Sequence, residues 1–288
     1  MAMALLAKRF SDCKLVFDIR GLMADEYVDA GIWREGSLVF RIIKWLEKTG
    51  ARRADQIVVL TERMRDWLIE KNLAKDECIE VIPCCADFSK YGWDDHDQSH
   101  SKSDRFEIVY AGSVTGLYLL EEIGKFFLKM RETRKDAFLR ILTTSPASGV
   151  VARLQKAGLA QEDVWVGAVK PSEVPGYLYR ASLGVSFRKP TFSQIAASPT
   201  KIPEYLASGL PVICNTGIGD TDELISKERV GVVINGFTDA DYRQALRQLE
   251  EIFNQPELAH RCREVARKYF DLDQVGGARY RLLYQRLL

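Results

Sequence analysis

The chain has 288 residues, 47% of them hydrophobic and 28% charged, which allows one large or two moderate cores and excludes both a disordered chain and a membrane-spanning one. With 41 basic against 40 acidic residues the net charge is +1, so the global charge does not advertise nucleic acid as a partner. The six cysteines include no CxxC pair and no zinc-ligand spacing with histidine, and reduced thiols in a cytoplasm are the expected state.

The opening MAMALLAKRF has too short an apolar run, with its charges after it, for a secretory signal, and reads as a first helix. KLVFDIRG reads as a strand entering a turn. In LVFRIIKWLEKTGARR the apolar face fits an amphipathic helix packed in the core, while Arg41, Lys44, Lys48, Arg52 and Arg53 also suit an anionic membrane surface. DQIVVLT is a second strand, after which Thr61 caps a helix with Met64, Trp67 and Leu68 on one face, and CIEVIP is a third. These make a partial N-terminal domain over residues 1–88. The polar, Ser- and Asp-rich stretch 89–104 reads as a linker.

A second domain over 105–270 opens with strand FEIVYAGS and a helix bearing Leu120, Ile123, Phe127 and Leu128. Strands follow at FLRILTT, DVWVG, LGVSF, LPVICN and VGVVI. Six strand-helix units in this order predict an α/β, doubly wound, Rossmann-like domain. After Phe237 the chain reads as helix with breaks near Pro256 and at FDLDQ, and residues 271–288 form a last helix expected to pack back on the N-terminal part.

Within SPTKIPEYLASGLPVI, Ser198 is placed to cap a helix with Pro199 in its first position, leaving the amides of Thr200 and Lys201 facing outward. Those amides, the helix end and the Lys201 charge favour an anion such as phosphate. Glu204 lies one turn on, where its carboxylate can accept hydrogen bonds from vicinal ribose hydroxyls, and Gly209 ends the helix. Gly112 and Ser113, in YAGS, let a backbone approach a phosphate at the same edge. A nucleotide is the implied ligand. A dinucleotide oxidoreductase is disfavoured, because no G-x-G-x-x-G follows a predicted strand.

The segments SPTKIPEYLASGLPVICNTGIGDTDELI, ADQIVVLTERMRDWL, IEVIPCCADFSKY and FEIVYAGS resemble the family-four glycosyltransferases of the GT-B fold, from about residue 14 to the C-terminus. The resemblance implies a C-terminal domain that binds a UDP- or GDP-sugar donor and an N-terminal domain that holds a glycan or lipid-linked acceptor across a cleft. By position, Glu204 corresponds to the ribose-binding glutamate, Thr200 and Lys201 to the segment along the pyrophosphate, and Gly112 and Ser113 to the loop under the donor. Eight positions before Glu204, where many relatives carry a second glutamate, stands Ala196. The family's Arg and Lys near the donor phosphates are absent from GSVTGLYLLEE, leaving Lys201, Arg188 or Lys170 to supply charge. IPCCAD replaces the family's usual Asn-Gly with two cysteines.

The resemblance further implies retaining transfer in glycan or polysaccharide biosynthesis, with the donor phosphate taking the acceptor proton, and neither a metal nor any cofactor beyond the donor. His96 and His100 fall in the linker and His260 in a terminal helix, so none is expected at a catalytic strand end. Asp18 and Arg20, at a strand end facing the cleft, either contact the acceptor or the leaving phosphate or form a structural Asp–Arg turn. Compared with the family the chain reads as starting midway through its N-terminal domain, which leaves a sheet edge to be covered by residues 1–12 or by another polypeptide. A cytoplasmic protein, peripheral to the inner face of the membrane if the basic helix touches lipid, is the expected setting. The rival expectation is a donor-binding chain that does not catalyse.

Overall fold

The computed structural model describes residues 1–91 and 103–288, so most of the expected linker, with His96 and His100, lies outside the described residues. Two parallel sheets organise the chain. The first has β1 (Val16–Ile19), β2 (Gln56–Val59) and β3 (Ile79–Val81) in the order β1-β2-β3. The second has β4 (Glu107–Ala111), β5 (Phe138–Leu142), β6 (Val164–Gly167), β7 (Leu183–Ser186), β8 (Val212–Asn215) and β9 (Gly231–Ile234), in the order β6-β5-β4-β7-β8-β9. Strand order reverses between β4 and β7, where Ile108 pairs with Leu183, and the crevice beyond such a reversal is where doubly wound sheets bind ligands.

The continuous apolar runs that predicted these strands are explained by helices on both faces of the larger sheet. Ile123, Phe126 and Phe127 of helix Leu120–Thr133 and Tyr242 of helix Asp239–Phe253 fill one face. Tyr205 and Leu206 of helix Lys201–Ala207 fill the other with Cys262, Val265 and Ala266 of helix Leu258–Phe270. Each fully buried aromatic or aliphatic side chain contributes about 1.5–3 kcal/mol, so the strand ends that carry the crevice stand on a stiff support.

The smaller sheet is covered less completely. Thr61 caps helix Glu62–Glu70 as its sequence predicts, accepting a hydrogen bond from the Met64 amide at 3.1 Å. Helix Leu38–Arg53 has the expected boundaries and meets the core through a narrow side, with Gly50 and Ala51 buried and Ala51 in the cluster of Ile19, Leu22 and Met64, while Leu38, Val39, Ile42 and Trp45 stay exposed. Residues 2–10 form a helix, and it docks on that helix through Met1 beside Gly50 and Lys8 on the Arg53 carbonyl. It does not cover β1 as a paired strand; among the described residues β1 pairs with β2 alone. The amphipathic period was read correctly, but which face meets a neighbour depends on elements far away in the chain.

After helix Leu258–Phe270 comes a π-helical stretch, Leu272–Gly277, whose first amides are capped by Asp271, and then helix Ala278–Gln285. That last helix lies on the smaller sheet. Leu283 packs with Val58 and Ile82, Tyr280 donates to Asp18 Oδ2 at 3.0 Å, and Arg279 donates to the Val81 carbonyl.

The two sheets are also fastened directly. Thr61 Oγ1 donates to the Ile195 carbonyl at 2.6 Å, the amides of Glu62 and Arg63 donate to Asp220 at 2.7 and 3.2 Å, and Arg63 pairs with Asp222 at 2.7 Å. Gly219 makes this approach possible. Its φ is +47°, and a Cβ there would lie 2.1 Å from the Ala197 carbonyl oxygen and 2.8 Å from Thr61 Cγ2.

Candidate active site

Lys201, Arg188, Gly112 and Ser113 converge at the reversal between β4 and β7. The loops that follow these strands are joined by an antiparallel bridge between Tyr118 and Arg188, with Leu119 donating to the Phe187 carbonyl and Lys189 to the Leu117 carbonyl. Asn215, at the end of β8, accepts from the Arg188 amide at 2.8 Å. Three strand ends therefore fix the backbone of Arg188.

Lys201 is 5% exposed, and its Nζ lies 3.4 Å from the Tyr110 hydroxyl, 4.5 Å from the Tyr110 ring centre and 4.4 Å from that of Tyr118. The Arg188 guanidinium lies 4.7 Å from the same Tyr118 ring, donates to the Tyr118 hydroxyl at 3.2 Å and to Gln194 Oε1 at 2.7 Å. Two cations thus share one aromatic ring. Among the described residues neither makes a direct ion pair, although the Arg188 charge acts on the Glu26 carboxylate and Glu204 acts on Lys201. Burial, and next the charge of Arg188, push the Lys201 ammonium down to about 7, against the opposing pull of Glu204. Two cations on one ring, with no direct ion pair to either, favour an anion beside them.

Gly112 has φ +131°, and a Cβ there would come 3.3 Å from Lys201 Nζ. The exposed Gly112–Ser113 turn therefore sits directly beside the ammonium. Tyr110 holds the turn by donating to the Ser113 carbonyl, and Tyr205 holds β4 by accepting from the Ala111 amide at 2.9 Å. Burial keeps both phenols neutral, so they act as donors and acceptors and not as charges.

Glu204 is half-buried, and desolvation raises its carboxyl, partly offset by a hydrogen bond from Tyr91 and by the Lys201 charge. A carboxylate has about four acceptor positions, so lone pairs remain beside the one Tyr91 uses. Thr200 is exposed at the start of the helix.

Ser198 is placed differently from the expectation. The helix begins at Lys201, Thr200 occupies the cap position in a helical conformation, and no side chain caps it. The Ser198 hydroxyl instead accepts from the Cys84 amide at 3.1 Å, so it binds the neighbouring domain. A local Ser-Pro signal lost to a longer-range partner.

Asp18 and Arg20 do not join the cluster. Arg20 donates to Asp18 at 3.1 Å and Tyr280 to the same carboxylate at 3.0 Å, an arrangement that matches the structural Asp–Arg turn. Ala196 is fully buried and packs with Ile19, Leu22 and Met64, so a carboxylate at this position would have no room to reach a ligand. Cys84 and Cys85 are free thiols, and burial pushes Cys85 up to about 11.

Tyr110, Tyr118, Gln194 and Tyr91 were not legible as site residues. Tyr118 lies in GSVTGLYLLEE, the stretch notable for lacking Arg and Lys, and an aromatic where cations were expected was the available signal. A cavity of about 340 Å³ opens between the domains, lined by Thr61, Arg63, Ser198, Ile202, Asp220 and Arg279 among others. Lys201, Arg188 and Glu204 do not line it.

Residues 1–85 match the model of the Glycosyl transferase 4-like domain. The whole chain is similar in structure to the sucrose-phosphate synthase of Thermosynechococcus elongatus, with a TM-score of 0.73 and 16% identity over 98% of this chain and 71% of that one. It is also similar to Anabaena HepE in complex with UDP-glucose, with a TM-score of 0.73 and 13% identity over 99% and 76% of the two chains. WaaG, a glycosyltransferase involved in lipopolysaccharide biosynthesis, gives a TM-score of 0.65 and 17% identity over 93% and 73%. No curated protein matches the sequence. At such identities the structural likeness speaks for the fold, and together with the matched model it leads to one conclusion: residues 1–85 are similar to a glycosyl transferase 4-like domain, and the chain has the GT-B fold.

Proposed function

We propose that the chain is a retaining glycosyltransferase that moves a sugar from a UDP- or GDP-linked donor to a glycan or lipid-linked acceptor. The observation that carries this reading is the pair of cations on the Tyr118 ring, the buried Lys201 and the partly buried Arg188, neither in a direct ion pair, beside Glu204. A diphosphate supplies the missing negative charge, and a ribose next to it reaches Glu204. The UDP-glucose of the HepE complex supports a donor of this class.

In the transfer, the bond from the anomeric carbon to the β-phosphate oxygen breaks while the acceptor oxygen forms its bond on the same face of the sugar. The acceptor proton passes to a phosphate oxygen of the leaving group. Lys201 and Arg188 stabilise the charge that develops on the diphosphate, the largest single contribution such a site makes, and no metal is needed for that role. Six free thiols and a nucleotide-sugar donor suit a cytoplasmic enzyme of glycan or polysaccharide biosynthesis.

Calorimetry with UDP and GDP, followed by sugar release and transfer across a panel of nucleotide sugars, tests the reading. Binding that is weakened in Lys201→Met, with turnover of at least one donor by the parent chain, is the expected result. Binding without turnover of any donor would leave the second reading, a non-catalytic donor-binding chain, which is favoured by the absence of a carboxylate at Ala196. Failure to bind either nucleotide would end both.

A further inference from the structure

Helix Leu38–Arg53 presents a face unlike the rest of the surface. Leu38, Val39, Ile42 and Trp45 are exposed along it, Leu38 to 74% and Trp45 to 62%. At 100° per residue, the exposed Arg41, Lys48 and Arg52 flank this row on one side and Arg53 interrupts the other. The helix has one acid, Glu47, and it faces inward, accepting from the Ala24 amide at 3.1 Å and lying 3.3 Å from Lys44.

The adjoining helix Ala2–Phe10 repeats the pattern. It has no buried residue, exposes Met3, Leu6 and Phe10 (the last to 81%) at helical spacing, carries Arg9, and contains no acid. Lys8 ties it to the Arg53 carbonyl at 2.9 Å and to Asp55, and Met1 lies beside Gly50, so the two helices are neighbours.

An apolar row with a tryptophan, bordered by cations and free of acids, is the complement of an anionic lipid surface. We infer that helices Ala2–Phe10 and Leu38–Arg53 together dock on such a surface, with Trp45 seated at the headgroup level. Attachment is interfacial, since no helix among the described residues is long and apolar enough to cross a membrane. A polypeptide added as a strand beside β1 is the competing occupant; it would cover the sheet edge but leave the basic border of helix Leu38–Arg53 without countercharge. The inference does not depend on sugar transfer, because it stands on a face that contains none of the donor-site residues.

The test is co-sedimentation of the full chain with phosphatidylcholine vesicles, with and without phosphatidylglycerol. Binding to the phosphatidylglycerol vesicles only, falling as salt is raised, is expected. Arg41→Glu with Lys48→Glu should weaken partitioning by about tenfold or more. Leu38→Ser with Trp45→Ser should abolish most of it while the thermal melt and UDP calorimetry stay as in the parent chain. Equal binding to both vesicle types, or binding unmoved by both double variants, overturns the inference. So does a chain that ignores vesicles and forms in ultracentrifugation a dimer that Trp45→Ser dissociates, which would assign the face to a second copy.

Discussion

In the six-stranded sheet β7 and β8 are buried throughout and β4 at all but its last residue, whereas in the three-stranded sheet only β2 is buried throughout and β1 carries an exposed Asp18. Both sheets are parallel and both were predicted from the same kind of apolar run. The difference lies in their cover: helices enclose the larger sheet on both faces, while the helices of the smaller one leave apolar rows in solvent. The two cations on the Tyr118 ring stand on the more enclosed sheet.

The contrast breaks first at the joint. Gly219→Val would drive a side chain into the Ala197 carbonyl from a left-handed backbone, and a loss of about 3 kcal/mol or more in urea unfolding is expected. A smaller loss would mean that the two sheets separate readily and that the interface is soft.

Lys201→Met should leave the fold intact and weaken UDP binding by about 10- to 100-fold in calorimetry, as for a lost charge-assisted hydrogen bond. The pH dependence sharpens this. With Lys201 near 7 in the empty protein and at its ordinary 10.5 unfolded, the unfolded chain holds more protons between those values, so the melting temperature should gain a contribution as pH rises through that window. UDP affinity, which favours the charged amine, should fall over the same range, and Lys201→Met should flatten both trends.

Glu204→Ala is expected to cost about tenfold in UDP affinity and to remove the preference for UDP over its 2′-deoxy analogue, read by competition. If the preference survives, the ribose is held elsewhere. The smallest effect is expected from Asp220→Asn, which keeps the shape but weakens the hydrogen bonds to the Glu62 and Arg63 amides, a loss of about 1 kcal/mol in the same urea experiment.

All nine strands of the two sheets, the Thr61 cap and the bounds of helix Leu38–Arg53 were legible, because alternation of apolar runs with turn residues is a local property. Lys201 and Glu204 were legible through their spacing on one helix, and Gly112 through its place at a strand end. The Ser198 cap failed because Cys84, from the other domain, claimed its hydroxyl. Tyr110 and Tyr118 were missed because an aromatic residue in an apolar run reads as core, and nothing local says which cation will lie on its face. For helix Leu38–Arg53 the sequence left a core face and a membrane face as alternatives, because periodicity identifies a face but not its neighbour.

The bridge between Tyr118 and Arg188 makes two loops, 70 residues apart in the chain, into a single short ribbon. The guanidinium consequently inherits its aim from a turn it does not belong to. Lengthening the segment between Gly112 and Tyr118 by one residue would shift the ribbon's register and swing Arg188 away from Lys201, without altering either residue. Loop length at that edge, and not residue identity alone, sets where charge is presented.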